Sequence, residues 1–283
     1  MAYPVWQIGM DVQNGVLRAL AVQRRRHGWQ LRQWWQLPLP SDTLRGGSLH
    51  NPAALCAVLQ RWKRELPHYV SLRLAFPADR VLQQRLSEPD GRLREPERGW
   101  YIEKMAAKKL PVSSDALIFD YRIDPSVADS VLVTAARKAE LALWLDCFRH
   151  AGLQLDAVDI TPCALRCMAR QAGLASDNML VHRFEDRWLW VSSLNATLAF
   201  GTVHVDDAAD FSALLSYVSA HYEPMASEPI YLSTSAPDFL PQASSSFTLW
   251  SPLPAFSQQQ PPLPAFPSAF VIAGGLAVRP EDV

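Results

Sequence analysis

Over residues 5–37, two apolar segments, VWQIGMDV and VLRALAVQ, precede a basic break, RRRHGW, and a third segment, LRQWWQLPL. Short apolar runs parted by Asn-Gly and Gly turns predict a β-meander. In the second run Val16, Leu17, Ala19, Leu20 and Val22 do not alternate strictly, which fits a strand buried on both faces and also a short helix. Asn51–Glu65 carries Pro just after Asn51, and Leu55, Val58, Leu59 and Trp62 recur at helical spacing. An N-capped amphipathic helix is expected there. Tyr69–Phe76 reads as a strand closed by Pro77, so the order begins β-β-β-α-β.

From Pro89 to Arg98 the chain is polar and rich in Pro, Gly and charge, the composition of a mobile loop. Next come a helix over Trp100–Lys109 stopped by Pro111, strands at Ile118–Ile123 and Ser130–Ala135, and a helix over Lys138–Ala151 ending at Gly152. A short strand at Leu155–Ile160 and a helix over Pro162–Ala172, ending at Gly173, complete the first half. A second lobe opens with two strands in Met179–Ser193 around a Glu-Asp turn, with Trp188 and Trp190 on one face and Leu189 and Val191 on the other. Leu198–Val205 reads as the next strand, Asp206–His221 as a helix with an Asp-rich first turn facing its own dipole, and Ile230–Leu232 as a further strand. Regularity then fades. Eleven of the 22 prolines lie in residues 224–283, and the run Ser251–Pro267 favours polyproline II, as a surface connector or a strip that binds a groove.

A chain of 283 residues suggests about two domains, and 49% hydrophobic residues exclude a disordered class. Cys56, Cys147, Cys163 and Cys167 read as free thiols of a reducing compartment. The N-terminal run lacks a basic lead and meets Asp11 early, resembling a first strand more than a signal peptide. Ala269–Val278 spans about half of a bilayer crossing, so a cytoplasmic protein is expected. The formal charge of −1 conceals a division: residues 1–150 hold 22 basic and 15 acidic side chains (+7), and residues 151–283 hold 5 and 13 (−8).

Candidate chemistry is sparse. Cys163 and Cys167 share a helical face with no His at matching spacing, the pattern of small core residues rather than metal ligands. There is no nucleophile elbow and no glycine-rich phosphate cradle of the common kinds. Gly274-Gly275 between apolar residues suggests close backbone approach. Arg24, Arg25, Arg26 and His27 beside Trp29 read first as a solvated hairpin tip, with nucleic acid or an anionic inner leaflet as the functional readings.

IGMDVQNGVLRALAVQ (Ile8–Gln23) resembles the opening strand-turn-strand of the PilM family, whose usual form is I-G-I-D-I-G-S-S-S-V-K-L-V-E-L. LRLAFPADRVLQQRL (Leu72–Leu86), VLVTAARKAELALWLDCFRHAGLQLDAVDITPCAL (Val131–Leu165) and AFVIAGGLAVR (Ala269–Arg279) are similar to later family stretches, in order. The shorter length, Trp34-Trp35 and the proline-rich tail resemble its HofM branch. The resemblance implies an α/β fold of the actin-like ATPase (ribonuclease H-like) kind, two-lobed, with an inserted FtsA/PilM-type subdomain and a reduced second lobe. It places lobe one at residues 1–165, with the insertion at about 80–157, and lobe two at 166–283, in which residues 268–283 return toward lobe one.

It further implies an adaptor of the inner-membrane assembly platform of a type IV pilus or DNA-uptake machine, cytoplasmic and peripheral to that membrane. Its partner would be the cytoplasmic N-terminal tail of a PilN/HofN-type membrane protein, lying extended in a lobe-one groove. The charge division, by contrast, leads to the expectation that the basic first half makes peripheral contact with anionic lipid, and the lack of an RRM, OB or helix-turn-helix signature speaks against direct nucleic-acid binding. Family members usually bind ATP with Mg between the lobes, and here the sequence departs. Asp11 survives, and Arg18 stands where a lysine is usual, as remnants of a cofactor-binding phosphate loop. The loop glycine is Gln13, the second loop reads Met179-Leu180-Val181-His182-Arg183-Phe184, and the adenosine-side glycines read Ser233-Thr234-Ser235. No catalytic residue, metal site or bound cofactor is therefore expected, and an ATP-binding switch with weak or no hydrolysis is the alternative.

Overall fold

The computed structural model of the chain describes residues 5–110, 112–123, 127, 129–221, 229–239 and 247–280, so the expected helix stop at Pro111 lies outside the described residues. β1 (Trp6–Gln13), β2 (Val16–Arg25) and β3 (Gly28–Pro38) form an antiparallel meander. Gly15 turns the first hairpin at φ 81°, a region where a Cβ would be strained. β2 is a strand rather than a helix: β1 and β3 flank its two edges, and residues 16–23 are buried without a break. A two-residue hairpin, β4 (Leu44–Arg45) and β5 (Ser48–Leu49), leads into α1 (Pro52–Trp62). The expected cap is present, Asn51 Oδ1 accepting from the Ala54 N–H at 3.1 Å.

β6 (Val70–Phe76) runs parallel to β1. β7 (Val81–Ser87), α2 (Glu97–Ala107), β8 (Leu117–Ile123) and β9 (Ser130–Arg137) build a small unit with its own core of Leu86, Ile102, Ala106, Val131 and Val133. The sequence pattern predicts no strand at β7, because Gln83, Gln84 and Arg85 hide its alternation. α3 (Lys138–His150), β10 (Ala157–Ile160) and α4 (Thr161–Gln171) follow. The second half has β11 (Met179–Arg183), β12 (Arg187–Val191), β13 (Phe200–His204), α5 (Phe211–His221), β14 (Ile230–Thr234) and β15 (Phe247–Leu249). α5 starts five residues later than the Asp-rich run suggests. Asp210 Oδ1 accepts from the Ala213 N–H at 2.8 Å, while Asp206 faces His204 in a turn before the helix.

The proline-rich segment corrects a second expectation. β16 (Phe256–Gln259) lies inside it as a strand, paired parallel to β3 at the sheet edge. Its four residues hold no proline, so their N–H groups remain available to a ladder. Downstream, Trp34 Nε1 donates to the Pro262 carbonyl at 2.8 Å, tying the segment to the first sheet. Among the described residues the last regular element is α6 (Val271–Ala277).

The first sheet has the order β10-β6-β1-β2-β3-β16, the second β13-β12-β11-β14-β15, and the small unit β7-β9-β8. α4 and α6 share one buried cluster with both large sheets, including Leu20, Leu31, Ala164, Leu180, Leu189 and Ile272. α1 and α3 cover the other face of the first sheet, and α5 the other face of the second. Trp188 and Trp190 turn toward α5, and Leu189 and Val191 toward the central helices, as the alternation predicts. Glycine permits this packing: a Cβ on Gly9 would stand 2.0 Å from the Ala273 carbonyl oxygen, and one on Gly275 would stand 1.8 Å from that of Ala164. All four cysteines are free, and among the described residues no helix is long and apolar enough to cross a membrane.

Candidate functional site

Two places gather polar or open surface where the lobes and the small unit meet. The first is the cleft between the large sheets. Asp11 and Gln13 lie two apart on β1, hence on one face, and Arg18 stands directly across from Asp11 on β2. Gln13 Nε2 donates to Asp11 Oδ1 at 2.7 Å, so Asp11 is bonded within its own strand. From the second lobe, Arg187 Nη2 donates to Gln13 Oε1 at 3.2 Å and Arg187 Nη1 to Asp79 Oδ2 at 2.9 Å. Thr202 donates to the other oxygen of Asp79. Arg18 Nη2 reaches across to the Ser235 carbonyl at 3.1 Å.

The cleft is thereby bridged by side chains. Phe184 is 3% exposed, edge-on to His182 with ring centroids 4.6 Å apart, and Arg187 lies over its ring at 5.6 Å. His182 sits opposite Ser233 in the β11–β14 ladder, its Nδ1 2.8 Å from the Ser233 hydroxyl. Burial, followed by the positive charges of Arg18 and Arg183, holds its imidazole down at about 3. Burial also pushes the Asp11 carboxyl above its ordinary value, against the Gln13 hydrogen bond and the pull of Arg18, and draws the Arg18 guanidinium below its own. Asp11 Oδ2, Arg18 Nε and His182 Nε2 are buried without a hydrogen-bond partner. The sequence points to Asp11, Gln13, Arg18, His182 and Phe184 in this cleft. It carries no signal for Arg187, Asp79 or Thr202, which meet only through the fold.

The second place is a pocket of about 170 Å³ between the small sheet and the β10 edge of the first sheet. Ile118, Leu132, Ala136, Leu141, Val158 and Ile160 make it mainly apolar. Arg122 Nη2 crosses it to Asp159 Oδ2 at 3.2 Å, and Arg279 Nε donates to the same oxygen at 2.7 Å. Burial pushes the thiol of Cys163, on its wall, up to about 12, which keeps that cysteine un-ionised and unreactive. β8 pairs with β9 alone among the described strands, so its outer edge presents unclaimed N–H and C=O groups. Ile118 and Ile123 on that strand are 44% and 59% exposed.

A family model described as Type IV pilus assembly protein PilM matches residues 9–183. The chain is 32% identical over 281 residues to the DNA utilization protein HofM of Escherichia coli (strain K12), covering 98% of each. Among solved structures it is similar to a PilM-PilN type IV pilus biogenesis complex, with a TM-score of 0.76 at 18% identity over 97% of this chain and 99% of that one. It is also similar to the cytoplasmic domain of EpsL, an inner membrane component of the type II secretion system of Vibrio cholerae, with a TM-score of 0.59 at 10% identity over 98% and 97%. At these identities the two structures speak for the actin-like two-lobed fold alone.

Proposed function

The chain belongs to the PilM family of type IV pilus assembly proteins, and from that premise we propose that it is a non-catalytic adaptor of a pilus-like or DNA-uptake platform. It works on the cytoplasmic side of the inner membrane and holds the N-terminal tail of a PilN/HofN-type membrane protein. The observation that carries this reading is the groove beside β8. An open strand edge next to an apolar pocket is the geometry that captures an extended peptide, with backbone pairing giving affinity and alternate side chains entering the pocket. No reacting group is needed for that task.

The cleft supports the non-catalytic half of the proposal. Nucleotide phosphates are held against bare backbone N–H groups at glycine turns. Here the Gln13 side chain and its partner Arg187 occupy that place, with Phe184 packed behind. The residues present do not fit Mg-ATP, and Asp11 and Arg18 serve a bridge between lobes instead.

Calorimetry of the full chain with a peptide of about the first twenty residues of the partner's tail tests the reading. Saturable binding is expected, weakened at least about tenfold by Ile118→Asp, which puts a charge at an exposed groove position with little cost to the fold. Absence of saturable binding counts against the adaptor. In the same series Mg-ATP should leave the melting temperature unchanged, whereas a ligand at a hundred times its Kd would stabilise by about 2.7 kcal/mol. A clear shift would favour the ATP-binding switch.

A further inference from the structure

The six-stranded sheet has two unlike ends. Gln13 and Val16, paired across the first hairpin, border the cleft. At the other end β1 and β6 begin side by side, Trp6 opposite Val70, and β2 turns into β3 with Arg25 opposite Gly28. That far end therefore collects the hairpin tip Arg24-Arg25-Arg26 and the loop that carries Lys63 and Arg64 into β6. All five side chains are exposed, and none forms an ion pair among the described residues.

Carboxylates near this end make other contacts, and among the described residues none of them pairs with these five cations. Glu65 accepts from Trp35 Nε1 at 3.0 Å, Asp146 pairs with Arg149 at 2.8 Å, and Asp156 accepts from the Leu72 N–H at 2.8 Å. Beside the basic residues, Tyr69 is 52% and Val5 45% exposed, and the Trp6 N–H donates to the Tyr69 carbonyl at 3.1 Å, which places the two at one spot. Exposed cations without ion-pair partners, next to exposed aromatic and aliphatic groups, match a lipid headgroup layer, where charge meets anionic phosphates and amphipathic rings sit at the boundary.

We propose that this end of the sheet is a peripheral docking surface for an anionic bilayer. Nucleic acid fits it less well. The aromatic residue of the hairpin tip, Trp29, is 8% exposed and lies under Arg24 at 4.9 Å, so it offers no face on which a base could stack. The surface is remote from the β8 groove in the sheet topology and stands on separate observations from the adaptor reading.

Co-sedimentation of the full chain with vesicles tests it, without any partner protein present. Vesicles containing phosphatidylglycerol should bind at low salt and release at high salt, and pure phosphatidylcholine should not bind. Each basic group near an anionic surface contributes roughly fivefold, so the triple Arg24→Gln, Arg25→Gln, Arg26→Gln variant should bind on the order of 100-fold more weakly. The double Lys63→Gln, Arg64→Gln variant, on a different element, should lose roughly 25-fold. Replacing the three arginines by lysine should preserve binding. Equal binding to neutral vesicles, or full retention in both charge-removing variants, overturns the proposal. So does tighter binding to duplex DNA than to vesicles that the triple variant abolishes, which would assign the surface to nucleic acid. A negative result here leaves the peptide experiment unaffected.

Discussion

His182 is fully buried between the two large sheets, and its surroundings make it a neutral structural group. Its folded value of about 3 lies below the ordinary 6.5. The stability that this gives is complete above pH 6.5 and is lost as pH falls toward 3, because the unfolded chain then takes up a proton that the folded one refuses. Urea unfolding across that window should show a decline on the order of a few kcal/mol, and His182→Gln should flatten it. Asp11 acts with the opposite sign: its value is raised on folding, so its contribution is present below 3.8 and is lost as pH rises through the folded value. At this scale Asp11 is legible as a retained position of the loop pattern that the family resemblance supplies, and Gln13, Arg18 and Phe184 as departures from it. Arg187 and Thr202 are not. Their bonds to Asp79 span 108 and 123 residues, and no local spacing encodes a contact of that reach.

Among the elements, α6 depends most on what its residues lack. Gly275 meets the Ala164 carbonyl and Gly9 meets Ala273, both backbone atoms that cannot swing aside. Gly275→Ala should therefore destabilise by about 3 kcal/mol, at the upper end of overpacking costs, seen as a lower urea midpoint with an unchanged slope. The glycine pair marks a close approach in the sequence, and only the packing of α4 against α6 says to what. Strands with clean alternation and the Asn51-capped helix are readable from the pattern. β7 and β16 are not, since Gln-rich edge strands bury too little on either face to leave a period of two, and neighbouring prolines disguise the second.

Across the whole molecule, the two lobes are joined by the shared core around α4 and α6 and by the Arg187 bridge. Arg187→Ala takes the cationic partner from Asp79, leaving it Thr202, and the donor from Gln13 Oε1, at a site where the Arg187 side chain is 10% exposed, and should cost about 3 kcal/mol. Thermal unfolding would register this as a melting temperature lower by several degrees, with Lys at the same position recovering part of the loss because it keeps the charge but not the fork. The unequal charge of the halves is determined by the sequence alone, as a sum over residues, and the two-lobed actin-like plan and the altered loops are legible there through the resemblance of short local stretches to the PilM family. The bridged cleft, the β8 groove and the basic end of the first sheet were decided by the tertiary structure. Each is made of strands whose adjacency comes from crossovers and shared burial, and hydrophobic periodicity specifies which face of a strand is buried but not which strand lies beside it.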